Sequence, residues 1–206
     1  WAAILGEKSA TDSSRAFFGG GYTQSGTPSS NAIEYVSILT TGNTVDFGDL
    51  TREDSSGPAA CSSSTRGIWA GGNTTNTIDF ITFTTTGNAE NFGDLTRASH
   101  EPIACSDSSR GVIFISGSTA PAGYTDNIDF VTMASAGNAA DFGNLSQGNS
   151  AGSALSNRTR GIVHTGGVAP ASGNNTLEYV VIQSTGNATD FGDLAQGGSD
   201  GKRNFT

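Results

Sequence analysis

The amino-acid sequence predicts an all-β protein, a β-propeller built of four-stranded antiparallel blades, with four repeats present. Composition is the first reason: of 206 residues, 34% are apolar, 14% are charged and 29 are glycine. A chain so poor in large apolar residues cannot supply helices with wide apolar faces, but it suits short strands joined by glycine-rich turns. The second reason is an internal repeat of about 45–50 residues, the length of a four-stranded propeller blade.

A five-residue phrase, first seen as Asp46-Phe47-Gly48-Asp49-Leu50, marks the repeat. Its glycines are 45, 50 and 49 residues apart (48 to 93, 93 to 143 and 143 to 192), and a Gly-Asn pair precedes each copy at a fixed distance. An alternating run and, earlier, an arginine followed by small and apolar residues precede that pair. These landmarks divide a single repeat domain, 1–206, into units of about 1–50, 51–95, 96–145 and 146–194, with a terminal stub at 195–206.

Each unit is predicted to hold four strands in sequence order. The first two are rich in small residues, as in Pro58-Ala59-Ala60-Cys61, because the inner strands of a propeller meet near a narrow channel. The third alternates apolar with polar residues, as in Ile128-Asp129-Phe130-Val131, and the phenylalanine phrase forms the fourth. One such sheet cannot bury both faces alone, so the blades are expected to stack around Ile, Phe and Tyr of the third strand.

The third unit resembles the kelch repeat. Its Arg110-Gly111-Val112-Ile113-Phe114 run, its Ile128-Asp129-Phe130 strand and its late aromatic Phe142 stand in the order of the kelch pattern. The chain departs from that pattern in having phenylalanine in place of a late tryptophan. The phrase Thr-Gly-Asn-Ala-x-Asp-Phe-Gly-Asp-Leu is similar to kelch-like repeats in virion proteins of tailed bacteriophages, notably marine and cyanobacterial ones. This resemblance implies a propeller in a virion or extracellular setting, in a tail fibre or a head decoration.

Charge and hydropathy narrow the choice of partners. The chain has 10 basic and 19 acidic residues, which gives a formal net charge of −9. A surface of that sign repels phosphate backbones and anionic lipid headgroups, so no nucleic-acid partner is expected. No apolar run approaches the roughly 18 residues of a transmembrane helix, so no membrane insertion is expected either.

Neither the cysteines nor the histidines predict a catalytic or metal site. Cys61 and Cys105 stand at equivalent places in successive units, which leaves a disulfide, a metal pair or two small buried apolar side chains. The last is favoured, because a whole blade would separate the thiols and two ligands fall short of a zinc site. His100 and His164 have no partner at a recognisable spacing. No catalytic residue, metal or cofactor is therefore predicted, and the chain is not expected to be an enzyme.

Two charged features recur through the units. The paired acids Asp46 and Asp49 have the ligand chemistry of a Ca²⁺ site, but asparagine replaces aspartate at 91 and 144. Capping of the phrase's own turn, which a neutral amide performs equally well, is therefore favoured. An arginine opens the second strand at one repeat phase, which indicates a hydrogen bond or an aromatic stack across blades. These arginines are Arg15, Arg66, Arg110 and Arg160.

The loop between the second and third strands differs most among the units. Binding residues concentrate in loops on a rigid scaffold. Tyr22 and Tyr124, flanked by Asn, Thr and Ser, have the composition of a sugar-contacting surface. A solvated loop tip with an incidental tyrosine is the alternative. The candidate binding residues are Tyr22, Gln24, Asn31, Asn73, Asn76, Tyr124, Asp126, Asn174 and Asn175.

The sequence thus predicts a non-enzymatic module on a virion surface that contacts a host-surface glycan or another virion protein through variable loops. A purely structural repeat spacer, packing against other domains or against copies of itself as a homo-oligomer, is the second hypothesis. A glycan-processing enzyme is the third, and it lacks an asymmetric set of acids and nucleophiles. Two arrangements of the repeats stay open: a segment of a longer repeat protein, which is favoured, and a closed ring of four blades.

Overall fold

The chain folds into β-strands arranged in four sheets. A computed structural model describes residues 2–8, 12–21, 29–54, 57–117, 124–150, 152–166 and 174–198. Within these ranges there are sixteen strands and no helix. We call each sheet a blade and number the blades in chain order.

The four blades have the following strands. Blade 1 holds β1 (Ala2–Lys8), β2 (Asp12–Gly19), β3 (Ser30–Ser37) and β4 (Val45–Asp54), and blade 2 holds β5 (Ala59–Ser62), β6 (Arg66–Ala70), β7 (Thr75–Thr82) and β8 (Glu90–Ser99). Blade 3 holds β9 (Ile103–Ser106), β10 (Arg110–Phe114), β11 (Thr125–Thr132) and β12 (Ala140–Asn149), and blade 4 holds β13 (Ser153–Ser156), β14 (Arg160–His164), β15 (Asn174–Val181) and β16 (Thr189–Gly198).

Within every blade the strands lie side by side in sequence order, and each pairs antiparallel with the next. The prediction of an all-β propeller made of four four-stranded antiparallel blades is confirmed. The fourth strands extend past the unit ends expected at 50, 95, 145 and 194, because β4, β8, β12 and β16 continue for four residues beyond the leucine of the phrase.

The blades stack face against face, and three apolar cores fill the junctions between them. In the junction of blades 2 and 3, Ile68, Ile78 and Phe92 of blade 2 pack with Ile113 and Met133 of blade 3. We call the side of a blade with the equivalents of Ile68, Ile78 and Phe92 its trailing face, and the side with the equivalents of Ile113 and Met133 its leading face. The same pairing of trailing with leading face fills the other two junctions, so the expected stacking around third-strand apolar residues is confirmed.

The first strands of successive blades lie next to one another, as expected for strands beside the axis. Small residues are required there because the sheets approach closely. A Cβ added to Gly111 would lie 2.9 Å from the Sγ of Cys61, and one added to Gly161 would lie 2.4 Å from the Sγ of Cys105. The glycine after each of these second-strand arginines therefore makes room for the thiol of the preceding blade.

A β-bulge in the fourth strand lets its phenylalanine and the leucine three residues later, such as Phe92 and Leu95, share the trailing face. In blade 2, Ile78 pairs with Gly93 and Asp79 pairs with Asn91, which leaves Phe92 as the extra residue. Gly93 has φ +151°, and a Cβ there would lie 2.4 Å from the carbonyl oxygen of Gly137 in blade 3. Glycine is thus needed both for the backbone angle and for the close contact. Equivalent bulges occur at Phe47, Phe142 and Phe191.

Blades 1 and 4 each leave one face uncovered. On the trailing face of blade 4, Phe191 is 49% exposed, whereas its three equivalents in blades 1 to 3 are at most 3% exposed. On the leading face of blade 1, Ile38 is 50% exposed, whereas its three equivalents are at most 2% exposed. The first and fourth blades therefore do not cover one another as they would in a ring closed by four blades.

Candidate functional site

The strand order places two kinds of connection at opposite ends of the blades. The loops from second to third strand, such as that between β6 and β7, lie at one end, which we call the loop rim. The turns from first to second strand, such as that between β5 and β6, lie at the other end, which we call the turn rim. The candidate binding residues that the structure describes all belong to the loop rim. Tyr22 and Gln24 lie outside the described residues.

In blade 2 the loop is a tight two-residue turn. Asn73 and Thr74 have φ values of +44° and +62°, and the N–H of Thr75 donates to the carbonyl of Gly72 at 2.9 Å. Two consecutive positive φ values are typical of a type I′ turn, which asparagine adopts readily. The side chains of Asn73 and Asn76 are exposed on this turn and on the strand that follows it.

In blade 3 an exposed tyrosine sits directly before a braced strand. Tyr124 is 44% exposed, and Asp126 is also exposed. Arg97 of blade 2 holds the strand start, because its Nη1 donates to Thr125 Oγ1 at 3.1 Å and to Asn127 Oδ1 at 2.7 Å. The aromatic ring is therefore presented to solvent from a base that the neighbouring blade fixes.

The remaining candidates differ in accessibility. Asn174 is only 7% exposed, and its Nδ2 donates to Thr165 Oγ1 while its Oδ1 accepts from the N–H of Thr176. The structure thus places this side chain inside the loop base, because its amide satisfies polar groups there. Asn175 is exposed, and Asn31 is half-buried in the third strand of blade 1.

The turn rim contains a hollow that sequence reasoning missed. It has a volume of about 250 Å³. Ser106 Oγ donates to the carbonyl of Ser62 at 2.8 Å, and Ser156 Oγ donates to the carbonyl of Ser106 at 2.7 Å, so these hydroxyls join successive blades. The sequence feature that could have indicated this hollow is a serine at the same position in three units: Ser62, Ser106 and Ser156. The hollow is lined by Ser62, Ser63, Ser64, Ser106, Asp107, Ser108, Ser156 and Arg158.

A polar side chain caps each described turn of this rim. In blade 3, Asp107 Oδ1 accepts from the backbone N–H groups of Ser109 at 2.7 Å and Arg110 at 2.8 Å, and Gln183 of blade 4 donates to its Oδ2. Burial alone would raise the pKa of Asp107. The hydrogen bonds lower it by more than burial raises it, so the pKa of Asp107 lies below its usual value.

The buried third-strand carboxylates also link blades. Asp129 is fully buried and accepts from the N–H of Thr96 at 2.8 Å and from its hydroxyl at 2.7 Å. Burial raises the pKa of Asp129, and the Thr96 hydrogen bonds offset this in part. Asp79 makes the same contacts to Thr51, and Glu178 accepts from the N–H of Ser146 at 2.9 Å. Each of these acids binds backbone of the preceding blade.

The second-strand arginines make the expected hydrogen bond across blades, but their aromatic stack lies within their own blade. The guanidinium of Arg110 lies 4.3 Å from the ring centre of Phe130 in its own blade, and its Nη1 donates to the carbonyl of Ile182 in the next blade at 3.0 Å. Arg66 stacks on Phe80 at 4.8 Å and donates to the carbonyl of Met133 at 3.1 Å. Stacking thus occurs within a blade, and the hydrogen bond crosses to the next one.

The acids of the Asp-Phe-Gly-Asp-Leu phrase were expected to cap their own turn, and at the junctions between blades the structure shows a different cap. Asp190 of blade 4 does cap its own turn, since its Oδ1 accepts from the N–H of Gly192 at 3.1 Å. Inside the stack the cap on the second acid position comes from the next blade: Asn88 Oδ1 accepts from the N–H of Asp49, and Asn138 Oδ1 from that of Asp94, each at 3.1 Å. The asparagine of the Gly-Asn turn therefore links its blade to the preceding blade.

Both cysteines are free and buried, as favoured from the sequence. Burial raises the pKa of the Cys61 thiol far above its usual value and that of Cys105 to about 12. They pack in the inter-blade cores as small apolar side chains. Within the described ranges, no group of three or more His, Cys, Asp or Glu is placed to hold a metal ion. In the same ranges, no helix is long and apolar enough to cross a membrane.

Comparison with known proteins identifies a fold and no family. No protein-family profile and no curated protein matches the chain. Among the solved structures that it resembles is hydrazine synthase of Kuenenia stuttgartiensis, with a TM-score of 0.59 and 9% sequence identity over 96% of this chain and 49% of that one. This chain therefore spans about half the length of that structure, and at so low an identity the likeness shows the fold alone.

Proposed function

We propose that this chain is a non-enzymatic binding module on a virion surface, in a tail fibre or head decoration, and that its loop rim binds a host-surface glycan. The observation that carries the proposal is the exposed ring of Tyr124, 44% accessible on a braced strand start. An aromatic ring offers a flat apolar face to a sugar, and the nearby Asp126 carboxylate supplies hydrogen-bond acceptors. The virion setting is supported by the kelch-like phrase and its similarity to bacteriophage virion repeats.

The rigidity of the loop bases supports a binding role. Arg97 fixes the strand after Tyr124, and Arg52 does the same for blade 2, where its Nε donates to Thr75 Oγ1 at 3.1 Å. A site that is already ordered loses less conformational entropy when a ligand binds, so weak single contacts add up to useful affinity. The loops, which differ in sequence among the units, therefore start from a fixed frame.

A non-enzymatic role is favoured by the use of the acids. Asp79 and Asp129 are fully buried and bind the backbone and hydroxyl groups of Thr51 and Thr96. They therefore stabilise the blade junctions, where a substrate has no access. A reducing-sugar release assay on bound glycans tests this point, and steady product release would contradict it.

The experiment that tests the proposal is binding of the full chain to a glycan array and to host cells. Tyr124→Ala is expected to weaken binding about ten-fold, which corresponds to about 1.4 kcal/mol. Leu39→Ala is the matched control, because Leu39 is a large apolar residue, 75% exposed, on the opposite rim. No binding by the parent chain, or an equal loss in the Leu39 variant, would contradict the proposal.

A structural spacer is the second candidate function, and the recurring blade junction favours it. In that role the loop rim contacts nothing, and the stack positions other parts of a virion. Loop substitutions would then leave host adsorption unchanged, whereas Phe142→Ala, which empties a buried position of the third core, would disrupt assembly.

A further inference from the structure

The trailing face of blade 4 carries the same kind of apolar side chains that fill the internal junctions, but no further blade covers them. Leu155 and Phe191 are 56% and 49% exposed. Ile162 and Leu177 are half-buried, whereas their equivalents in the other three blades have no exposed surface. A Cβ added to Gly192 would meet nothing within 4 Å, although at each internal junction the equivalent glycine abuts the backbone of the next blade.

The leading face of blade 1 is uncovered in the matching way. Ile38 is 50% exposed, and Phe18 and Val36 are half-buried, whereas the residues at these three positions in blades 2 to 4 are at most 3% exposed. Glu34 is also half-buried, whereas its equivalents, the buried acids described above, are at most 1% exposed. The molecule therefore presents one face of each type, at opposite ends of the stack.

The three internal junctions share a set of backbone hydrogen bonds. In the junction of blades 3 and 4, the N–H of Gly186 donates to the carbonyl of Phe142 at 2.7 Å, and the N–H of Ala188 donates to the carbonyl of Asn144 at 2.8 Å. Asn187 Oδ1 accepts from the N–H of Asn144 at 3.1 Å. The same three bonds recur between blades 1 and 2 and between blades 2 and 3.

The two end faces carry the complementary halves of this set. Blade 4 has the carbonyl groups of Phe191 and Asp193 and the N–H of Asp193 at the trailing positions. Blade 1 has the Gly42 and Asn43 pair, followed by Thr44, at the leading positions, and all three are exposed. The donors and acceptors that close each internal junction are thus present on the two ends of one molecule.

We propose that a second copy of this chain covers these faces, and that two copies join head to tail into a closed ring of eight blades. In each new junction Ile38 of one copy packs on Phe191 of the other, and Asn43 accepts from the N–H of Asp193. Arg160, which stacks on Tyr179 at 4.7 Å, donates to the partner's Ile38 carbonyl as the other second-strand arginines do inside the stack. The hydrogen bonds and the order of apolar positions on these faces recur at three junctions within the molecule, and those junctions are the template for the occupant.

The number of copies is limited by the requirement that the ring closes. The contact is heterologous, since a trailing face meets a leading face, and such contacts close into a ring when the rotations sum to a full turn. Propellers usually have four to eight blades, and two copies of four reach the upper value. At the inner edge, Ala16 and Leu155 stand where the blade 3–4 junction has Gly161 and Cys105. Bulkier side chains beside the axis hold the inner strands apart, which suits a wider ring.

The test is the mass of the full chain in solution, measured by size-exclusion chromatography with light scattering. Twice the mass of one chain is expected for the parent, and a single-chain mass for Ile38→Asp and for Phe191→Asp. Leu39→Asp is the matched control: its equivalents Thr84, Ala134 and Gln183 are exposed in every other blade, so the dimer should persist. A monomeric parent, a mass that grows without limit, or dimers in both face variants would overturn the proposal.

Mixing the two face variants identifies the pairing. Ile38→Asp keeps an intact trailing face and Phe191→Asp keeps an intact leading face, so an equimolar mixture regains one junction and a dimer mass. If each face paired instead with the same face of another copy, each variant would form a dimer alone through its intact face. Mixing the two variants would then not be required for a dimer mass. Circular dichroism confirms that each variant is folded. If either one unfolds, dissociation of the parent dimer on dilution still decides whether copies associate.

Discussion

The close contact between Gly161 and Cys105 yields a double-mutant test of how the inner strands pack. A Cβ at Gly161 would lie 2.4 Å from the Sγ of Cys105, 3.4 Å from Val180 Cγ2 and 3.9 Å from the Cβ of Cys105. The last two distances are ordinary van der Waals contacts, so the sulfur alone opposes a methyl group. Gly161→Ala should therefore destabilise the chain in the parent background and be tolerated when Cys105→Ala removes the sulfur.

The magnitudes follow from packing. Overfilling a packed core by one methyl group costs about 1–3 kcal/mol, and we expect about 2 kcal/mol for Gly161→Ala alone. Removing the Cys105 sulfur should cost about 1 kcal/mol as a small cavity. In the Cys105→Ala background, Gly161→Ala fills that cavity and gains about 0.5 kcal/mol from the better strand propensity of alanine. The coupling energy between the two sites is then about 2.5 kcal/mol, within the range for residues in contact.

Urea unfolding, followed by the fluorescence of the fully buried Trp69, measures these free energies. Gly137→Ala is the control, because no atom lies within 4 Å of the position that its methyl group would take and the residue is exposed, so it should change stability by less than about 0.5 kcal/mol. Equal costs for Gly161→Ala in both backgrounds would refute the claim that the thiol and the glycine share one space.

Two further predictions concern titrating groups. Burial raises the pKa of Cys105 to about 12 and that of Cys61 higher still. Neither thiol should therefore react with a disulfide reagent at pH 8 in the native chain, and both should react once the chain is denatured. Rapid labelling of the native chain would contradict this. The pKa of Asp107 is lower in the folded chain than in the unfolded one, so its carboxylate stabilises the fold above the unfolded pKa of about 3.9 and this contribution is lost as the pH falls. Asp107→Asn should therefore lose stability at pH 7, and the difference from the parent in urea unfolding should narrow as the pH falls below the unfolded pKa of about 3.9. A constant difference would argue against the hydrogen-bonded carboxylate.

The blades were predictable because the same sequence landmarks recur every 45–50 residues, the length of a four-stranded blade. Ile78 and Ile128 alternate with Asp79 and Asp129, and a strand with that pattern places the isoleucines on one face and the aspartates on the other. The acids at the polar positions were harder to interpret. They are buried rather than solvated, because the preceding blade supplies Thr51 and Thr96 to satisfy them, and no single strand contains that information.

The bulge at Phe92 was not predictable from local sequence. A simple alternation would place Phe92 and Leu95, which are three residues apart, on opposite faces, and only the extra residue opposite the third strand lets both pack on the trailing face. A Cβ at the glycine that follows, Gly93, would lie 2.4 Å from the carbonyl oxygen of Gly137 in another blade. Such contacts depend on how sheets stack, which the pattern within one repeat does not encode.

The loop rim was predictable as a location but less so residue by residue. Composition alone made Asn174 and Asn175 equivalent candidates, yet one amide is buried against Thr165 and the other is exposed. An asparagine side chain can satisfy a loop's backbone or face a ligand with the same chemistry, and only the path of the backbone decides between them.

Departures from the repeat concentrate where the stack ends, and this has a physical consequence. Thr44 replaces the alanine found at the internal leading faces, and Ala195 replaces the Thr or Ser whose N–H binds the next blade's acid. An end face built from these residues retains the backbone hydrogen bonds of a junction, but its inner edge carries Leu155 where blades 2 and 3 have cysteine and blade 1 has Ile4. The combination of Leu155 with Ala16 occurs at none of the three internal junctions, where the second-strand position has glycine, so this pair distinguishes the proposed junction between copies from those within one copy. Replacing Leu155 by cysteine and Ala16 by glycine would remove that distinction while leaving every hydrogen bond of the junction in place.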